Sequence, residues 1–132
     1  SALRLAVERG AKEVLILGAT GTRLDHVMAN MELLLLGKEL GISVAITDVN
    51  NYICLADKET LIKKEEQFGK YVSFFPMGGD VMGLTLEGFY YPLKDYHLTA
   101  RDCGLTVSNE IKEEVGKISY DSGYLMMIMS RD

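Results

Sequence analysis

The sequence predicts an α/β region followed by an all-β region: a partial Rossmann-like parallel βαβ unit, then an antiparallel β-sandwich. Three observations predict it. Up to about residue 48, strand-length apolar runs alternate with stretches of helical period. From residue 50 onward, short β runs recur between turn signals with no helical stretch among them. Nearly half of the 132 residues (48%) are apolar, enough for a core in one ordinary domain or two small ones.

In chain order, residues 1–10 read as the body of a helix. Leu3, Ala6 and Val7 share one face and Gly10 ends it. There is no initiator Met and almost no entry loop, so the chain is expected to be a piece of a longer protein. A strand follows over Glu13–Leu17. The next helix spans roughly Asp25 to Leu40, with Leu24, Val27, Met28, Met31, Leu34 and Leu35 at i, i+3/i+4, i+7 spacing. Gly41 stops it, and Ile42–Thr47 is a second β-branched strand that ends at Asp48. Two strands alone do not make a stable open sheet, so further strands are expected ahead of Ser1.

Beyond a boundary near Val49–Asn51, the β runs are Tyr52–Leu55, Thr60–Lys63, Tyr71–Phe75, Val81–Leu86, Val115–Tyr120 and Tyr124–Met129. The expected domains are therefore 1–49 and 50–132. Phe74, Phe75, Met126, Met127 and Met129 read as core. His97, in a polar loop, and the run Lys63–Glu66 read as solvated.

The net charge is −5, from 14 basic and 19 acidic residues. Without a Lys/Arg-rich run, this argues against nucleic acid and anionic membranes as partners. No apolar stretch reaches the ~18 residues of a membrane span, and no signal-peptide pattern opens the chain. Cys54 and Cys103 lack metal or redox spacing and read as two buried thiols in a reducing, cytoplasmic setting.

The segment richest in chemistry is Gly18-Ala19-Thr20-Gly21-Thr22-Arg23-Leu24-Asp25-His26. A strand, a glycine turn and a helix N-terminus bring backbone N–H groups and partial positive charge toward an anion. The plainest reading is a tight turn that needs glycine geometry and binds nothing. A dinucleotide fingerprint is the second, with Asp48 as the ribose acid. Against it stand the bulky Leu24 at the third glycine position, an Arg-x-Asp-His that this motif does not use, and the switch to all-β. A P-loop is excluded because no Lys-Ser or Lys-Thr follows at the required spacing.

The remaining reading is phosphate transfer. Arg23 offers a planar fork to phosphate oxygens. Asp25 can hold Mg²⁺, orient a hydroxyl acceptor, or serve as a first-turn helix acid. His26 can donate to phosphate or only cap the helix, and Arg23 and Asp25 can simply pair with each other.

These residues, continued by Ala29-Asn30, resemble the Gly-Gly-Arg-x-Asp-His-x-x-x-Asn segment of the thiamine pyrophosphokinases. The β region is similar to the same family in order. Phe75-Pro76-Met77-Gly78 resembles its Pro-x-Gly strand end, and Leu86-Glu87-Gly88-Phe89-Tyr90-Tyr91-Pro92-Leu93 its Gly-x-x-aromatic-x-Leu strand. Val107-Ser108-Asn109-Glu110 resembles its Ser-Asn signature, and Gly123-Tyr124-Leu125 its closing strand.

The resemblance implies an α/β nucleotide domain and a β-sandwich, assembled as a homodimer with a shared active site. It implies transfer of pyrophosphate from Mg·ATP to the hydroxyl of thiamine, giving thiamine diphosphate and AMP. Gly18, Ala19, Thr20, Gly21, Thr22, Arg23 and His26 fall on the ATP phosphate side, and Arg23 and Asp25 on catalytic positions, Asp25 toward Mg²⁺. Tyr91 falls where an aromatic meets thiamine, with Tyr90 the open alternative. Ser108 and Asn109 fall on the thiamine-contacting segment, where a hydroxyl and an amide can read the aminopyrimidine edge.

The family's upstream Asp-x-Asp-Ser and Lys-Asp…Thr-Asp motifs do not occur in this sequence. The piece alone is therefore expected to be incomplete for catalysis. The alternatives are a fragment of an NAD(P)-binding Rossmann-type oxidoreductase, resting on Gly18–Gly21, and a non-catalytic thiamine-binding or dimerisation module.

Overall fold

Glycine-closed helix ends shape the start of the chain. α1 (Ala2–Glu8) ends where Gly10 takes φ +88° and the Ala11 N–H donates to the Ala6 carbonyl at 3.0 Å. α2 (Leu24–Glu39) ends the same way: Gly41 takes φ +74° and the Ile42 N–H donates to the Gly37 carbonyl at 2.9 Å. A left-handed residue closing this six-residue loop turns the chain straight into a strand. The computed structural model describes residues 2–18, 23–102 and 104–132. They form mixed β-sheets with two α-helices, in two units that divide between Leu55 and Ala56.

In the first unit, β1 (Glu13–Leu17) and β2 (Ser43–Thr47) are parallel and in register from Glu13↔Ser43 to Leu17↔Thr47, with α2 as the crossover. β3 (Asn51–Ala56) then pairs antiparallel with β2, Ala45 facing Cys54 and Thr47 facing Tyr52. β1-α2-β2 is thus the parallel βαβ unit expected, whereas β3, expected in the sandwich, joins its sheet antiparallel, so that the sheet is mixed and not Rossmann-like. The reason is connection length. Only residues 48–50 separate β2 from β3, whereas a parallel return needs a crossover of about a dozen residues or more. Asp48 builds that turn: its Oδ1 accepts from the backbone N–H groups of Asn50 (2.8 Å) and Asn51 (2.7 Å).

Leu34, Ile42, Val44, Ile46 and Ile53 are buried. α2 packs on β2 through Gly37, where a Cβ would overlap the Val44 side chain. The apolar stripe read from sequence is buried only toward the C-terminal end of α2. At the other end Leu24 and Met28 are 76% and 60% exposed.

In the second unit, β4 (Glu59–Lys63), β6 (Val81–Glu87), β7 (Leu93–Leu98) and β8 (Val115–Ser119) form an antiparallel sheet in the order β4-β8-β6-β7. β5 (Tyr71–Pro76) pairs antiparallel with β9 (Leu125–Ser130), from Tyr71↔Ser130 to Pro76↔Leu125. Among the described residues of this unit the one helical turn is a 3-10 turn at Lys64–Glu66. Val72, Phe74, Val81, Leu84, Leu86, Ile118, Leu125 and Met127 fill the core. The Phe74 and Phe89 rings meet edge to face at 5.9 Å.

β7 has no counterpart among the strands read from sequence. Its middle, Lys94-Asp95-Tyr96-His97, is polar, and its pairing with β6 shifts register twice, near Gly83 (φ +70°) and Asp95 (φ +46°). Bulges of this kind erase the period-two signature. His97 accordingly sits on a strand, not in a loop. Among the described residues no helix is long and apolar enough to cross a membrane.

Candidate functional site

The glycine-rich segment begins where β1 ends. Gly18 takes φ +63° and its N–H donates to the Thr47 carbonyl at 3.0 Å. Ala19, Thr20, Gly21 and Thr22 lie outside the described residues, as does Cys103. Arg23 is the extended residue that caps α2, and its carbonyl accepts the Val27 N–H.

The Arg23 guanidinium meets Asp25 Oδ2 at 2.6 Å, with the two side chains 68% and 61% exposed. Asp25 Oδ1 accepts the His26 backbone N–H at 2.8 Å. Arg23, Asp25 and His26 therefore lie together, exposed, on the first turn of α2. An exposed pair of this kind is worth about 0–1 kcal/mol. Exchanging the Asp25 carboxylate for a phosphate on the Arg23 fork costs little.

The lip does not make a magnesium cage by itself. Among the described residues no three His, Cys, Asp or Glu side chains are grouped to hold a metal. Asp48 is committed to its turn, where it also accepts from Asn51 Nδ2 at 3.2 Å. That placement gives no support to a ribose role. Cys54 is a half-buried thiol on β3.

The second cluster lies wholly in the second unit. Its defining feature is polar burial. Ser73, Thr106 and Asn109 are the buried polar residues among those described, 7%, 5% and 3% exposed, and all three serve one segment, residues 106–109. Burying such groups is costly unless each finds a partner, and each does.

The Thr106 hydroxyl donates to the Phe74 carbonyl, and the Phe74 N–H donates to the Thr106 carbonyl at 2.9 Å. Val72 and Asn109 exchange backbone bonds at 2.8 and 2.9 Å. Between these anchors the Ser108 N–H donates to Ser73 Oγ at 2.9 Å. Ser108 itself is exposed and left-handed, with φ +59°, a conformation that costs an L-residue roughly 1–2 kcal/mol.

The Asn109 amide faces the other way and clamps Tyr91. Its Oδ1 accepts the Tyr91 N–H at 3.0 Å and the Glu110 N–H at 2.9 Å, and its Nδ2 donates to the Tyr91 carbonyl at 2.8 Å. That leaves one amide N–H for another acceptor. Neighbouring bonds complete the stitching: Tyr90 N–H to the Glu110 carbonyl at 2.9 Å, and Lys112 N–H to the Gly88 carbonyl at 2.7 Å.

The result is a rigid backbone carrying two tyrosine rings. Tyr90 already has a cation over it, Lys112 Nζ at 5.9 Å from the ring centre. Tyr91 is 66% exposed, and among the described residues no aromatic ring or cation stacks on its ring.

The loop leading into this segment is held by Asp102. Its Oδ2 accepts the Thr99 N–H at 2.7 Å and its Oδ1 the Tyr96 hydroxyl at 2.6 Å. The Thr99 bond, then the Tyr96 bond, hold the Asp102 carboxyl below its ordinary range, and the Asp102 bond pushes the Tyr96 phenol up. His97 Nε2 pairs with Asp80 Oδ2 at 2.7 Å.

Sequence reasoning placed Tyr91, Ser108 and Asn109 at this site and missed Ser73, Thr106 and Lys112. Ser73 did leave a trace, as the polar residue within the apolar run Val72–Phe75.

Residues 59–125, about half of the chain, match the family described as thiamin pyrophosphokinase, vitamin B1 binding domain. Thiamine pyrophosphokinase of Bacillus subtilis is 35% identical over 131 residues, covering 99% of this chain and 61% of that protein. A crystal structure of the Bacillus subtilis enzyme superposes with a TM-score of 0.90 at 38% identity, covering 99% of this chain and 61% of that one. The thiamin pyrophosphokinase of Geobacillus thermodenitrificans gives 0.85 at 37% identity, with 99% and 60% covered. The chain thus spans about three-fifths of the length of these relatives. With a family match over half its residues and these relatives aligned end to end along it, the chain belongs to the thiamin pyrophosphokinase family.

Proposed function

We propose that this chain is the part of a thiamine diphosphokinase that carries the thiamine-binding surface and one lip of the ATP site. The reaction is pyrophosphoryl transfer from ATP to the hydroxyl of thiamine, giving thiamine diphosphate and AMP. Residues 1–49 belong to the ATP-binding side and 50–132 to a sandwich-type thiamine-binding side, in a cytoplasmic homodimer. One observation carries the reading: the buried Ser73–Thr106–Asn109 set, which fixes the backbone of Tyr91 and Ser108 while leaving the Tyr91 ring open.

In physical terms, phosphoryl-type transfer asks mainly for positioning and charge stabilisation. The Arg23 fork, released from Asp25, offsets charge on the transferring phosphates. By resemblance, residues 18–22 fall on the polyphosphate side, with the His26 ring as a donor. Asp25, once Arg23 turns to phosphate, is available to orient the thiamine hydroxyl. Mg²⁺ would accompany ATP as counter-charge for its phosphates, and Asp25 is the one carboxylate the described lip would offer it.

Thiamine carries a cationic thiazolium and a flat aminopyrimidine. The open Tyr91 ring suits either, and a cation over an aromatic face gains about 0.5–2 kcal/mol. Tyr90 is the poorer candidate because Lys112 already sits over it. Ser108 offers its hydroxyl, and Asn109 its remaining N–H, to the aminopyrimidine edge.

Calorimetric titration of the full-length protein with thiamine tests this. Tyr91→Ala is expected to weaken binding by about 2- to 30-fold, with Tyr91→Phe near wild type and Tyr90→Ala the milder of the two alanine variants. An unchanged dissociation constant in Tyr91→Ala contradicts the assignment.

A further inference from the structure

The proposed thiamine surface depends on a serine that faces away from solvent. Ser73 lies in the middle of β5 and is 7% exposed. Its neighbours in the strand hold the 106–109 segment through the backbone: Phe74 bonds Thr106 and Val72 bonds Asn109. Ser73 holds Ser108 through its side chain, Oγ accepting the Ser108 N–H at 2.9 Å.

Two physical facts make that bond more than filler. A hydroxyl buried in an apolar strand is costly unless it is bonded. Ser108 is also held at φ +59°, a conformation that an L-residue leaves unless its surroundings over-determine it. Backbone anchors at 106 and 109 fix the ends of this turn, and the Ser73 hydroxyl fixes its strained middle.

Resting on the thiamine reading above, we propose that Ser73 is a positioning residue for thiamine. It holds Ser108 left-handed so that the Ser108 hydroxyl points at the substrate, and it never touches the substrate itself. Without the hydroxyl, the Ser108 N–H loses its acceptor and the residue relaxes toward negative φ, which swings its side chain away.

The test is steady-state kinetics on the full-length protein with thiamine and ATP varied separately. Ser73→Ala is expected to raise the KM for thiamine about tenfold, the equivalent of ~1.4 kcal/mol, with the KM for ATP and kcat within about twofold. Ser73→Thr, which keeps the hydroxyl, restores the thiamine KM. Ser73→Cys, close in size with a weak acceptor, shows the same rise as alanine and serves if the alanine variant folds poorly.

In a Ser108→Gly background, where glycine adopts positive φ without strain, Ser73→Ala changes the thiamine KM less than about threefold. An equal change in both backgrounds, or an unchanged thiamine KM in Ser73→Ala beside an active wild type, overturns the role of Ser73 alone. A wild type that shows no saturation with thiamine overturns the thiamine reading and this proposal with it.

Discussion

Arg23 and Asp25 pair across 2.6 Å at the start of α2, with both side chains in water. Such a pair adds little to stability, so its two halves are open to other work. Arg23→Ala is expected to leave the thermal unfolding midpoint within about 2 °C while lowering kcat roughly a hundredfold, the scale of losing one well-placed charge stabiliser. Parallel melting curves and turnover measurements check it, and an unchanged kcat removes Arg23 from the catalytic set. At this scale the sequence is legible where chemistry is local. Arg-x-Asp on a helix start and Tyr-Tyr before Pro92 stand out as text. Ser73 and Thr106 do not, because their meaning lies in partners 35 and 32 residues away.

Strands and helices were readable where their period was clean. β1, α2, β2, β5, β8 and β9 lie close to the runs of apolar residues that predict them. β7 was hidden because it pairs through bulges at Gly83 and Asp95, and the pairing of β3 with β2 was hidden because turn length, not composition, sets it. The packing of α2 on β2 yields a sharp expectation. Gly37 is buried in the last turn of α2, where an added Cβ would overlap Val44. Alanine there gains up to ~1 kcal/mol of helix propensity but drives a methyl into a branched side chain with no flexible end. Overpacking of this kind costs about 1–3 kcal/mol. Gly37→Ala is therefore expected to be net destabilising in a denaturant melt, and Gly37→Ala with Val44→Ala to recover part of the loss. A stabilised single variant contradicts the close approach.

For the whole molecule, the two clusters occupy different units: the Arg23–Asp25 lip in the first, the Tyr91–Ser108–Asn109 surface in the second. Composition and charge argue against nucleic acid and anionic membranes but select no substrate. The order of motifs along the chain is what points to thiamine, and the buried polar set is the feature on which that proposal rests. The chain spans about 61% of its Bacillus subtilis relative, so the decisive measurement uses the full-length protein. It is the release of AMP from Mg·ATP as thiamine is varied, with thiamine diphosphate quantified in the same samples. Saturable, thiamine-dependent AMP release matched one-to-one by thiamine diphosphate is the expected result. AMP release indifferent to thiamine, or ADP as the nucleotide product, contradicts the account.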